Sequence, residues 1–124
     1  MYVLVDTVEF WWPATAFVPD DKVPGKLSPS PFDLRFQSID LDDQMALTDE
    51  IAALPEKEQA ARQHDLLRRV IVDWRKVVDA DKQPVPFSAA MLDAAIQKSW
   101  FRLAAYTAWA DAMSGRPSKA SAGN

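Results

Sequence analysis

Apolar residues along this chain change their period near residue 40, from alternation by twos to recurrence every three or four positions. Phe32, Leu34 and Phe36 alternate with Asp33, Arg35 and Gln37, the pattern of a strand with one face buried. In an earlier run Val8, Phe10, Trp12, Ala14, Ala16 and Val18 share one parity. Glu9 and Thr15 fall on the other, together with Trp11 and Phe17. Pro13 cannot donate to a ladder, so this strand is expected at an edge, bulged, or split there. Residues 19–31 hold four of the nine prolines plus Gly25, which predicts a long, stiff loop instead of a tight turn.

Helical signals begin at Asp40, an N-cap with Asp42 and Asp43 in the first turn. Leu47, Ile51 and Leu54 follow at i, i+4 and i+7, and Pro55 ends the segment. A second helix is expected from about Glu56, because Leu67, Val70, Ile71 and Trp74 recur at i, i+3, i+4 and i+7. Ser88 reads as the N-cap of a short helix that buries Met91, Leu92, Ala95 and Ile96. A last helix is expected from near Ser99 to Gly115, with Pro117 just beyond. That last helix is apolar nearly all round, and only Arg102, Thr107 and Asp111 are clearly polar within it. Such a helix needs cover on more than one side. The second cover is another protein chain, or the sheet and remaining helices of this one, and the two are not exclusive.

These elements predict an α+β fold: a small N-terminal antiparallel β-ribbon or sheet followed by a bundle of about four α-helices. A length of 124 residues suits one domain. It is read as 1–115, β-rich over 1–39 and helical over 40–115, with a disordered tail at 116–124. No apolar run approaches the roughly 18 residues that span a bilayer, and no basic region follows Met1, so a cytoplasmic, membrane-free chain is expected. A formal net charge of −4 argues against nonspecific nucleic-acid binding.

The residues offer little for catalysis or cofactors. Cysteine is absent, which removes thiolate nucleophiles and thiolate metal sites. His64 is the single histidine, and no catalytic triad or His-rich metal set can be assembled around it; a partly buried structural role is expected. Asp79 and Asp81 resemble the opening of a calcium loop, but the positions that need an oxygen ligand, glycine and glutamate hold Gln83, Pro84 and Ala90. Solvated turn carboxylates are the better account. Asp40, Asp42, Asp43, Asp49 and Glu50 read as a helix start and a solvated face. The three glycines flank no strand–helix junction, so no phosphate-binding loop is expected. Trp11 and Trp12 lack the basic neighbours of a nucleobase platform and are read as core or protein-contact residues. The five tryptophans, more than a small core needs, tilt the expectation toward a protein-binding module without catalysis or cofactor.

One run carries more than composition. After Val70, Ile71, Val72, Asp73 and Trp74 comes a charged turn with Asp79 and Asp81. Pro84, Val85, Pro86, Phe87 and Ser88 then lead into a helix. Physically this is a corner that docks helical elements. It also resembles the central signature of the tail assembly chaperones of long-tailed phages: a tryptophan, a short acidic turn, then Pro-Phe-Ser before a helix. The order of elements over 32–115 is similar too, from Phe36, Gln37, Ser38 and Ile39 through an acidic helix to an alanine-rich helix with aromatics. The polar end Gly123-Asn124 is similar to the tails of this group. The chain departs from the usual pattern at Lys82, where a glycine commonly follows the acidic turn, and at Arg75, where one often follows the tryptophan.

The resemblance implies a non-catalytic assembly factor of a phage or prophage, acting in the bacterial host cytoplasm and absent from the mature virion. It would bind the tape measure protein, keep it soluble and help recruit tail tube subunits. Many such chaperones are made in two lengths by frameshifting, which would make this the shorter form and leave tube binding to the longer one. Trp74, Phe87, Trp100, Phe101 and Trp109 are the candidate partner-binding residues, and self-association is a further expectation. The alternatives are a structural tail or head–tail connector subunit retained in the virion, and a decoy that blocks assembly of a competing phage.

Overall fold

The computed structural model describes residues 1–118. The fold is α+β. Strand β1 (Glu9–Pro19), β2 (Leu27–Gln37) and β3 (Ile71–Arg75) form an antiparallel sheet in the order β1-β2-β3. Five helices accompany it: α1 (Leu41–Ala52), α2 (Glu56–Arg62), α3 (Asp65–Val70), α4 (Ala89–Ile96) and α5 (Ser99–Met113).

Strands β1 and β2 pair without a break from Glu9–Gln37 to Pro19–Leu27, so both are longer than the proline content predicts. The expected loop over 19–31 shrinks to residues 20–26. Parity explains why the prolines are tolerated. Ser38 N–H donates to the carbonyl of Val8 at 2.8 Å, and Asp20 N–H donates to that of Lys26 at 2.9 Å. Backbone groups alternate in direction along a strand, so the even positions of β1 and β2 bond to each other. Pro13, Pro19, Pro29 and Pro31 are all odd. Their missing donors point away from the β1–β2 ladder and cost it nothing. The short connection is organised by Asp20, whose carboxylate accepts from Lys22 N–H, Val23 N–H and Ser28 Oγ at 2.8–2.9 Å. Those bonds, the Lys22 amide foremost, hold the carboxyl below its ordinary pKa. Gly25 supplies the left-handed residue that the turn requires, at φ 82°.

The third strand corrects the expected second helix. Residues 56–70 form two short helices, α2 and α3, and the chain then extends as β3, with Val72 as the extra residue of a bulge opposite Arg35 and Phe36. Leu67 and Val70 keep their helical spacing and are fully buried, while Ile71 and Trp74 reach the core from a strand. The β-branched run Val70-Ile71-Val72 fits the open edge of β2 better than another helical turn. Strand β3 stops at Arg75, opposite Asp33. The next pair in that register would set Val77 against Pro31, which has no N–H to give. Lys76 instead turns into the left-handed region at φ 65°.

The even positions form the inner face, where Ala14, Ala16, Phe32, Leu34 and Phe36 are buried with Leu92, Ile96 and the inward side of α5. Phe36 meets Trp109 edge-on at 5.3 Å, and Phe32 stacks on Phe101 at 5.7 Å. On the odd face Trp11 lies beneath two guanidinium groups, Arg75 at 4.3 Å and Arg35 at 5.6 Å from the ring centroid. Burial alone would raise the Asp33 carboxyl there. The hydrogen bonds and charges of Arg75, at 2.8 Å, and Lys76, at 3.3 Å, outweigh it and hold the group below its ordinary pKa.

Ser88 caps α4 as expected, its Oγ accepting from Met91 N–H at 3.1 Å. Leu92 and Ile96 are buried, but Met91 faces outward. Helix α5 ends at Met113 with Gly115 at φ 74°, the left-handed stop expected there. Helix α1 starts after Asp40, though that side chain makes no cap bond, and none of its residues is fully buried. Of the tail expected to be disordered, 119–124 lie outside the described residues. Ser118 is described, and it is buried.

Lys82 also adopts the left-handed region, at φ 64°. Lys82→Gly is expected to stabilise the fold by about 0.5–1 kcal/mol, because relief of a left-handed penalty of about 1–2 kcal/mol exceeds glycine's entropic cost. Urea denaturation of the two proteins checks this.

Candidate functional site

The corner between β3 and α4 is built around Trp74. Its indole N–H donates to the carbonyl of Val85 at 2.8 Å, while the ring meets Phe87 edge-on at 5.2 Å and Phe101 at 6.3 Å. Val77 and Val85 are tied by a backbone bond of 2.9 Å, and Val78 bridges Pro84. Asp79 closes the turn, its Oδ1 accepting from Asp81 N–H at 2.8 Å and Gln83 N–H at 3.0 Å. The Asp79 carboxylate is a turn former, and Asp81 joins the turn through its backbone with its side chain exposed. Among the described residues, no group of three or more His, Asp or Glu side chains is placed to hold a metal ion.

The five candidate contact residues separate into two sets. Trp74, Phe101 and Trp109 lie in the core with exposures of 6%, 8% and 7%. Phe87 and Trp100 are half-buried and pack against its margin. A partner that docks on the folded protein therefore meets Trp100 and Phe87, and the other three support them from beneath. Trp100 does not stand alone. Helix α5 packs along β1 and leaves an open groove of about 330 Å³ between them. Trp12 and Phe17 line the strand side, and Trp100 and Leu103 line the helix side. Leu103 is 69% exposed and Phe17 55%, and the polar margin is limited to Thr15, Thr107, Asp111 and Ser118. Sequence reasoning missed Leu103 and Phe17. The signal was present, because both fall on the wrong parity or helical face for the core they adjoin.

The all-round apolarity of α5 is thus divided. Phe101, Ala104, Ala105, Ala108 and Trp109 face inward, and the alanines let the helix approach the sheet closely. Leu103 and Met113 face out.

A second cleft of about 370 Å³ lies under α1, lined by Leu47, Ile51, Leu66 and Tyr106. His64 Nδ1 and the Tyr106 hydroxyl are 2.7 Å apart beside it. Burial, then the charges of Arg102 and Arg68, lower the histidine pKa, and burial raises that of the tyrosine. Both shifts favour the neutral forms of the pair. Arg68 itself is spoken for, with Asp65 and Asp93 each at 2.7 Å. Among the described residues, no helix is long and apolar enough to cross a membrane.

The division of the aromatics has a direct consequence for stability. Trp109→Ala is expected to cost about 3–5 kcal/mol, as for a large buried aromatic, and Trp100→Ala only about 1–2 kcal/mol. Chemical denaturation of both variants measures the difference.

The chain matches no family model, no curated protein and no solved structure.

Proposed function

We propose that this chain is a tail assembly chaperone of a long-tailed phage or prophage, which binds the tape measure protein and keeps it soluble in the host cytoplasm. The observation that carries the reading is the open apolar groove between β1 and α5, standing beside a corner built from the residues of the resemblance. Trp74, Asp79, Phe87 and Ser88 each have a defined structural task in that corner. Lys82, where the resemblance expects glycine, has the left-handed backbone that glycine favours. The signature run is then a scaffold, and the groove is the contact surface.

The mechanism is reversible burial. An amphipathic segment of the tape measure protein lays its apolar stripe along Trp100, Leu103, Phe17 and Trp12, the helix-in-groove mode of recognition. Each apolar side chain taken out of water contributes about 1.5–3 kcal/mol when fully buried. Asp111 is the one charged group in the lining, so binding depends on apolar area, without an ion-pair anchor. Such a contact holds the segment soluble and yields when tube subunits cover the same stripe. Recruitment of those subunits falls to a longer, frameshifted form in this reading.

Co-expression with the tape measure protein of the same phage tests the proposal. The wild-type chain is expected to keep the tape measure protein soluble and to co-purify with it. Leu103→Asp, at an exposed position, is expected to abolish both effects while leaving the melting temperature within a few degrees of wild type. A tape measure protein that stays insoluble and unbound beside a well-folded wild-type chain rejects the reading. The chain's presence in purified virions would instead favour a structural subunit.

A further inference from the structure

Residues 1–8 are the most exposed apolar segment among the described residues. Met1, Tyr2, Val3, Leu4, Val5 and Val8 are all large, apolar and exposed, with Tyr2 at 86% and Leu4 at 83%. Val8 is tied to Ser38 by two bonds, its N–H donating to Oγ at 2.9 Å and its carbonyl accepting from N–H at 2.8 Å. No described residue bonds to residues 1–7. The composition is strand-forming, rich in valine with threonine and tyrosine, and Asp6 is its one charge.

This arm continues directly into β1, an edge strand. The even positions of β1 bond to β2, so Thr7, Glu9 and Trp11 direct their backbone groups to the open side. In sequence Val3 and Val5 keep the same parity; the single chain bends at Asp6, and pairing straightens it. Natural edges are blunted by charged side chains, lysine above all, by proline or by a bulge. This edge carries Asp6 and Glu9 but no lysine, and no proline until Pro13, which removes the outward donor and closes the run.

We propose that the arm pairs with the same segment of a second copy of this chain, joining the two sheets edge to edge. The pairing is antiparallel and two-fold, centred near Thr7, with Val3 opposite Trp11 and Val5 opposite Glu9. Self-complementarity is what selects a second copy. In that register Leu4 lies beside Phe10, and Tyr2 beside Trp12, on the inner face, where Phe10 and Trp12 are only half-buried in the single chain. Asp6 is set against Val8, so the two like charges do not oppose each other. The area is adequate as well. At about 60–120 Å² for each apolar side chain, the two arms and the edges they cover bury on the order of 1,500 Å², the size of a specific interface. The pairing uses the outer edge of β1 and touches the groove only at Trp12, so Leu103→Asp tests tape measure binding without disturbing the dimer.

Sedimentation of the full chain over a wide concentration range tests it. The wild type is expected to be a dimer that dissociates on dilution. Val5→Pro removes an outward donor, and Leu4→Asp removes apolar cover. Each is expected to weaken the dimer by about tenfold or more, roughly the 1.4 kcal/mol that a decade in affinity represents. Neither should change the melting temperature of the monomer, because the arm takes no part in the core. Met113→Asp, exposed on another face, is expected to leave the dimer intact. A second measurement is independent of any variant: hydrogen exchange at Thr7, Glu9 and Trp11 should slow as protein concentration rises. A wild type that is monomeric throughout, a dimer indifferent to Val5→Pro, or exchange independent of concentration would each overturn the proposal.

Discussion

The indole of Trp74 is the point at which sheet, corner and last helix are joined. It leaves β3 at the position paired with Leu34, spans to the Val85 carbonyl with its N–H, and packs its ring against Phe87 and Phe101. A buried indole donor without a partner costs about 1–3 kcal/mol, so the side chain fixes where residue 85 must lie. That in turn sets the take-off point of Ser88 and α4. Phe101 then ties α5 to the sheet through its stack on Phe32 of β2, the residue paired with Ala14 of β1. The groove beside Trp100 exists because these contacts hold the helix at that distance from the strand.

The second constraint is the one-sided sheet. Even positions build the core, and odd positions carry a mosaic of Trp11, Arg35, Arg75 and Asp33. Four prolines on odd positions limit what can pair at either edge. Pro31 ends β3 on one side, and Pro13 ends the open run on the other. The longest stretch of that edge left without proline runs from the arm to Trp11. The same alternation that makes the long β1–β2 ribbon tolerant of proline therefore also defines the chain's exposed strand surface.

Much of this was legible in the residues. The parity of Phe32, Leu34 and Phe36, the Ser88 cap and the Gly115 stop all signal their elements through local chemistry. Strand β3 was not legible, because Leu67, Val70, Ile71 and Trp74 satisfy helical spacing as well as they satisfy a helix that becomes a strand. The choice is made by the open edge of β2, a partner distant in sequence. Pro29 and Pro31 read as loop for the same reason, since the side to which a strand directs its donors is unknown until its partners are known. Among the candidate contact residues, composition marked the aromatics but not their depth. Trp100 and Trp109 sit on one helix nine positions apart, and only the packing of α5 against β1 makes one a display residue and the other core.

Trp74 couples the corner to the rest of the fold, and native-state hydrogen exchange on Trp74→Phe reads that coupling residue by residue. Phenylalanine keeps the ring contacts in part and removes the donor to Val85. A loss of about 1 kcal/mol in protection is expected, concentrated at the amides of Val85, Met91 and Leu92, with β1–β2 amides nearly unchanged. Unchanged protection at those amides, or a loss spread evenly over the β1–β2 ribbon, would contradict the coupling.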